Sequence, residues 1–116
     1  ITWNREAGRT AIGVYAVYGA STTVYATAVS LTEPDPSTTI NIAANGGVIA
    51  AATTYNTTSV TYTGVTERYD VIYDTSFCSS GGSDEQLPAE TGRTITCNVD
   101  GTNSNCIMGV ISIQPA

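Results

Sequence analysis

The sequence predicts an all-β domain, an antiparallel β-sandwich of jelly-roll type with about seven to nine short strands. Three observations carry that expectation. Thr is the commonest residue, Gly supplies 11 of 116 positions and Leu occurs only as Leu31 and Leu87; this composition favours strands and turns over helices. Gly, Pro, Asn and Asp clusters recur at short intervals along the chain, as they do between the strands of a sandwich. Between those clusters, apolar residues alternate with period two instead of recurring at helical spacing.

The predicted central strand is residues 10–19, within R-T-A-I-G-V-Y-A-V-Y-G at 9–19. Ile12, Val14, Ala16 and Tyr18 fall on one face of it, and Ala11, Gly13, Tyr15 and Val17 on the other. A strand apolar on both faces belongs in the middle of a covered sheet. Before it, residues 1–4 read as a short strand and 5–8 as a turn.

Residues 22–31 follow as a strand, with Tyr25, Thr27, Val29 and Leu31 alternating against Val24, Ala26 and Ala28. Pro34 and Pro36 make 32–37 a loop, because proline cannot donate to a ladder. Residues 38–43 form a strand carrying Ile40 and Ile42, and Asn45-Gly46-Gly47 is a turn. Residues 47–55 form a second buried strand, whose alanines imply close approach of a neighbouring layer. Asn56-Thr57-Thr58 turns the chain, and also matches a glycosylation sequon.

Residues 59–63 are a strand ended by Gly64, and 65–74 a half-exposed strand. Residues 79–91, polar and rich in Gly and Ser, read as an exposed loop. Residues 93–99 and 106–113 close the chain as a hairpin about Asp100-Gly101-Thr102-Asn103. No internal repeat is apparent, and the length suits one domain over residues 1–116.

Charge and composition narrow the function classes. The net charge is −6, and the basic groups are Arg5, Arg9, Arg68 and Arg93 alone. Without clustered Lys and Arg the chain is a poor partner for nucleic acid. No His and no Lys are present, which removes the usual general base, the usual metal ligand and Schiff-base chemistry. Carboxylate-only hydrolysis is the enzymatic class that remains. No apolar run of about 18 residues exists, so no span is predicted, and no signal-peptide pattern follows Ile1.

Several residues invite sharper readings. With Gly101-Thr102 at the centre of a type II′ turn, Cys97 would face Cys106 at a Cα separation of about 4.5 Å, short but bridgeable. With Asp100-Gly101 in a type I′ turn, Cys97 would face Ser104, so the bridge is left open. Cys78 is then a buried free thiol. Glu67, Asp70 and Asp74 cluster as a paired-acid candidate, but period two sends Glu67 to the opposite face, and surface charge is the expected role. Asp100, Asn103 and Asn105 offer oxygen ligands for Ca²⁺ without EF-hand spacing, and turn chemistry explains them equally. No catalytic, cofactor-binding or metal residue is assigned.

The seven tyrosines either fill the core with their hydroxyls at the rim, or stack on sugars from an exposed sheet. The second option makes a carbohydrate-binding or adhesin-type module the alternative function. The expected core is Ile12, Val14, Ala16, Ile40, Ile42, Val48, Ile49, Val60, Ile95, Val110 and Ile111.

The segments A-I-G-V-Y-A-V-Y-G-A-S (11–21), N-I-A-A-N-G-G-V-I-A-A-A (41–52), V-T-Y-T-G-V-T-E-R-Y-D (60–70) and the ending 94–115 resemble a widespread group of small, uncharacterised proteins. Tailed bacteriophages and proteobacterial prophages encode that group. The resemblance implies a β-sandwich structural protein of a virion, with no catalytic or binding residues to carry over. It points to a capsid-decoration or tail-associated role in the extracellular particle. The partners implied are further copies of the chain and other virion proteins, with a host-surface glycan under the alternative. It also implies strands upstream of Ile1, so an edge beside residues 10–19 or 1–4 is expected to pair with backbone outside these 116 residues.

Overall fold

Eight antiparallel strands in two sheets organise the described residues, which in this computed structural model are 13–55, 59–74, 77–100 and 105–116. In chain order they are β1 (Ala20–Ser30), β2 (Ser37–Ile42), β3 (Gly46–Tyr55), β4 (Val60–Thr63), β5 (Glu67–Asp74), β6 (Phe77–Leu87), β7 (Glu90–Val99) and β8 (Ile107–Pro115). The larger sheet runs β1-β8-β3-β6-β5 and the smaller β2-β7-β4. The order β1-β8-β3-β6 against β2-β7-β4 is that of a jelly roll, with β5 joined to β6 where that pattern would put it beside β4.

Alternation builds the core. In β3, Val48, Ala50, Ala52 and Thr54 point inward, while Ile49, Ala51, Thr53 and Tyr55 point out. Met108 and Val110 of β8 join them from the same sheet. Ile40 and Ile42 of β2, Val60 of β4, and Ile95 and Cys97 of β7 meet them from the smaller sheet. Each full-sized aliphatic side chain so buried contributes about 1.5–3 kcal/mol. Of the expected core, Ile40, Ile42, Val48, Val60, Ile95 and Val110 are buried.

The chain changes sheets between β4 and β5 at Gly64, whose φ of +89° suits glycine. A Cβ there would lie 2.1 Å from the Thr94 carbonyl oxygen. Arg93 Nε donates to the Gly64 carbonyl at 2.7 Å, while its guanidinium bridges Glu90 and Asp84. The turn before β3 closes with Gly46 N–H donating to Ala43 O at 2.9 Å.

The structure corrects four expectations. The described part of the expected central strand, residues 13–18, is not a strand. Val14 is 83 % exposed and Ala16 is also exposed, while Ile12 lies outside the described residues. The centre of the larger sheet belongs to β3, flanked by β8 and β6. Residues 13–19 instead cross the outer side of that sheet. Two further core candidates, Ile49 and Ile111, are only half-buried, because they oppose each other on the same outer face.

Residues 79–91, expected as a loop, contain most of β6, and Ser79 through Gly82 are buried. Their small side chains serve close packing. A Cβ on Gly81 would meet the Tyr15 hydroxyl at 2.5 Å and the Tyr69 ring at 2.7 Å, and one on Gly82 would meet Val65 at 2.7 Å.

The predicted hairpin of residues 93–99 with 106–113 does not form. β7 pairs with β2 and β4, whereas β8 pairs with β1 and β3. Both hairpin registers for Cys97 and Cys106 therefore fall, and all three cysteines are buried thiols outside any disulfide. A thiol reagent should thus titrate three groups per chain only on unfolding, and reductant should leave the melting temperature unchanged. A reductant-dependent melting temperature would contradict this arrangement.

Candidate functional site

The two outer faces of the sandwich differ in chemistry. On the smaller sheet, β2 turns Ser37, Thr39 and Asn41 outward, β7 turns Thr94, Thr96 and Asn98, and β4 turns Thr61 and Thr63. These side chains bond one another and the backbone. Ser37 Oγ lies 2.8 Å from Thr96 Oγ1. Asn98 Nδ2 donates to Thr61 O at 3.1 Å and to Thr63 Oγ1 at 3.0 Å. Gly92 N–H donates to Asn41 Oδ1 at 3.0 Å.

The larger sheet presents the opposite surface. One row across it runs Tyr69, Gly81, Ala51, Gly109 and Val29, read from the register of five adjacent strands. Small residues in the middle of that row make a shallow trough, and nothing lies within 4 Å of where a Gly109 Cβ would stand. Val71 (52 % exposed), Ile107 (50 %) and Val29 (65 %) rise beside it. Strands β1, β3 and β8 contain no charged residue. An uncharged sheet face carrying large exposed aliphatic side chains marks a contact surface more often than a solvated one.

Residues 13–19 cover part of this face. Tyr15 packs against Tyr69 with ring centroids 6.4 Å apart, and both rings lie over Gly81. Burial raises the Tyr15 hydroxyl pKa above its ordinary value, with a smaller push from Tyr69. Beside the crossing segment runs an open groove of about 840 Å³, lined in part by Tyr18, Asn45, Ile49, Gln86 and Ile113. Tyr18 at its rim is 91 % exposed.

The tyrosines divide between core-facing and exposed positions. Tyr62 faces Cys97 across the β4–β7 ladder and reaches Ser80 Oγ of the other sheet at 3.1 Å. Burial raises its pKa strongly. Tyr18, Tyr25 and Tyr55 are exposed, so they do not fill the core.

The candidate acids are structural clamps wherever their contacts are described. Asp70 Oδ2 accepts from Val60 N–H at 3.1 Å, and the Cys78 thiol lies 3.8 Å from its Oδ1. Asp100 Oδ1 accepts from Ser59 N–H at 2.8 Å, and Asp35 Oδ1 from Val99 N–H at 2.8 Å. Glu67 is exposed and Asp70 half-buried, while the Asp74 side chain lies outside the described residues. Of the Ca²⁺ candidates, Asn103 lies outside the described residues, Asp100 is bonded to Ser59, and Asn105 N–H donates to Glu33. Among the described residues no cluster of His, Cys, Asp and Glu could hold a metal ion.

Burial pushes the Cys78 thiol up to about 11 and the Cys97 thiol to about 12, from an ordinary 9.0. The folded protein thus keeps protons that the unfolded chain releases near pH 9. The contribution of these two thiols to stability should be constant from neutral pH to about 9 and fall as pH rises towards 11–12. Denaturant midpoints from neutral to alkaline pH check this, and a midpoint that rises there contradicts it.

Comparison of the chain with protein-family models, curated proteins and solved structures gave no match. The reading of this surface rests on its own chemistry.

Proposed function

We propose that the chain is a non-enzymatic structural domain that acts through protein–protein contacts on the outer face of its larger sheet. The observation that carries this reading is the charge-free surface of β1, β3 and β8, with Val29 and Ile107 standing exposed on it. Burial of such a face against another protein removes apolar area from water without desolvating a charge. The Thr, Ser and Asn face of the smaller sheet is then left to solvent. Together with the phage-like sequence segments, this favours a virion component, a capsid-decoration or tail-associated domain laid on a protein lattice. A jelly roll serves in both capsid and lectin domains, so the fold does not choose between them.

Ala51 lies at the centre of the trough and is exposed. An Ala51→Lys protein should fold normally and lose its place on particles purified from the source of the chain, detected by mass spectrometry. The exposed Tyr18 beside Asn45 and Gln86 favours the carbohydrate-binding alternative. Retention on a glycan array, with Ala51→Lys retained equally and particles free of the chain, would replace the proposal with that reading.

A further inference from the structure

We propose that the groove beside residues 13–19 is a binding site for a neutral oligosaccharide. The backbone singles it out. Among the described residues, Asn45, Gln86 and Asn105 are the non-glycine positions with positive φ, and Asn45 and Gln86 both line this groove. Asn45 lies in the turn before β3, where a left-handed Asn is ordinary. Gln86, at φ +54°, is not in such a turn. It lies where β6 carries one residue more than β3. Asp84 pairs with Val48 and Leu87 with Gly46, so Glu85 and Gln86 together oppose Gly47. Glycine would adopt this backbone without strain, yet the position holds a long, exposed amide side chain. Bulges re-aim side chains, and strain kept at one points to a use for the side chain it presents.

The lining selects the ligand. Asn45, Gln86 and Gln114 supply planar amides, each with donor and acceptor side by side. Arg68 adds a guanidinium whose Nε donates to Ser83 O and Ser83 Oγ, both at 3.1 Å. Among the described residues nothing engages its two terminal nitrogens. Paired groups of this planar kind match the adjacent hydroxyls of a pyranose ring. Tyr18 at the rim, 91 % exposed, offers a ring on which the C–H face of a sugar can stack. The volume of about 840 Å³ also suits a small ligand, whose sites span about 300–1,000 Å³.

Charge excludes the other small-ligand classes. Arg93 already neutralises Asp84 at 3.6 Å. That leaves Arg68 against Glu85 in the lining, with no net charge to attract a phosphate or a carboxylate. A lipid chain would desolvate the three amides and the guanidinium without giving them partners. The site is separate from the centre of the contact surface proposed above. It reaches Gly47 on β3, about 13 Å along the strand from Ala51. The inference does not rest on the protein-contact reading.

Saturation-transfer NMR of the whole 116-residue chain tests it, with lactose, maltotriose and mannotriose as neutral probes and sialyllactose as the anionic counterpart of lactose. At least one neutral probe should bind, and sialyllactose should bind no more tightly than lactose. Gln86→Gly and Tyr18→Ala should each weaken that binding about tenfold or more, while Ala51→Lys should leave it unchanged. Gln86→Gly should also keep a denaturant midpoint no lower than wild type, because glycine relieves the left-handed strain. Absence of binding by every neutral probe would overturn the inference, as would equal affinity in Gln86→Gly or Tyr18→Ala. A preference for sialyllactose would overturn the neutral class and assign Arg68 to an anion. A lower midpoint in Gln86→Gly would show that packing, and not a ligand, accounts for the strained amide. Ala51→Lys is expected to fail on particles yet bind sugar, so the two readings fail separately.

Discussion

Val48→Asp should destabilise the protein by about 4 kcal/mol, while Val14→Asp should change its stability by no more than about 0.5 kcal/mol. Val48 is fully buried within the core cluster, which Ile95 joins from the smaller sheet. A carboxylate there loses its hydration, and the guanidinium near its register partner Asp84 is already shared between Asp84 and Glu90, so it either unfolds the chain or stays protonated at high cost. Val14 is 83 % exposed on residues 13–18, and a carboxylate there remains in water. The sequence alone suggests that both positions are core, so this pair separates the observed sandwich from one built around residues 10–19. Denaturant unfolding of the two variants would show it. Equal losses, or a larger loss at Val14, would mean that the segment lies inside the sheet after all.

Gly64→Ala should cost roughly 3 kcal/mol, combining the strain of an L-residue at positive φ with a forced shift of packed backbone. The obstacle is the Thr94 carbonyl, 2.1 Å from the new Cβ. That carbonyl sits in β7, where the ladder fixes it, and cannot swing aside as a side-chain tip would. Gly92→Ala is the natural control. Gly92 also has positive φ, at +71°, but nothing stands within 4 Å of its Cβ position. It should lose only the strain, about 1 kcal/mol. Thermal melts of the two variants side by side would test the sheet-switching turn, and equal losses would remove the close approach at Thr94 from the account.

Strand by strand, legibility followed how many physical roles one residue pattern can have. The alternation in 47–55 and the two isoleucines at 40 and 42 allow one economical placement, and these strands are found with those residues inward. The run at 9–19 allows two. Apolar residues on both faces fit a buried strand, and they equally fit a segment laid across another sheet with Tyr15 anchored over Gly81. Ser79-Ser80-Gly81-Gly82 is ambiguous in the same way. Small residues mark mobile loops, but they also let rings and neighbouring strands come close, and here the second role decides.

The connection from β7 to β8 fails for a topological reason. Two strands joined by a short turn usually pair, yet in this sandwich the connection passes from one sheet to the other. Turn type alone could not reveal it. The candidate surface did leave a trace in the sequence. Residues 46–55 and 107–115 are uncharged on both of their alternating faces, whereas a sheet turned to water normally shows polar residues on one. That trace points to a covered face, but not to what covers it.

Residue-resolved oxidative footprinting of the chain, free and on native particles, tests the contact surface most directly. The account predicts that Tyr25, Val29 and Ile107, all exposed in the free chain, lose most of their labelling on particles. Val14, on the segment above the sheet, provides the comparison. Unchanged labelling at Tyr25, Val29 and Ile107 in the particle-bound chain would contradict the claim that the charge-free surface of β1, β3 and β8 is where the protein makes its contacts.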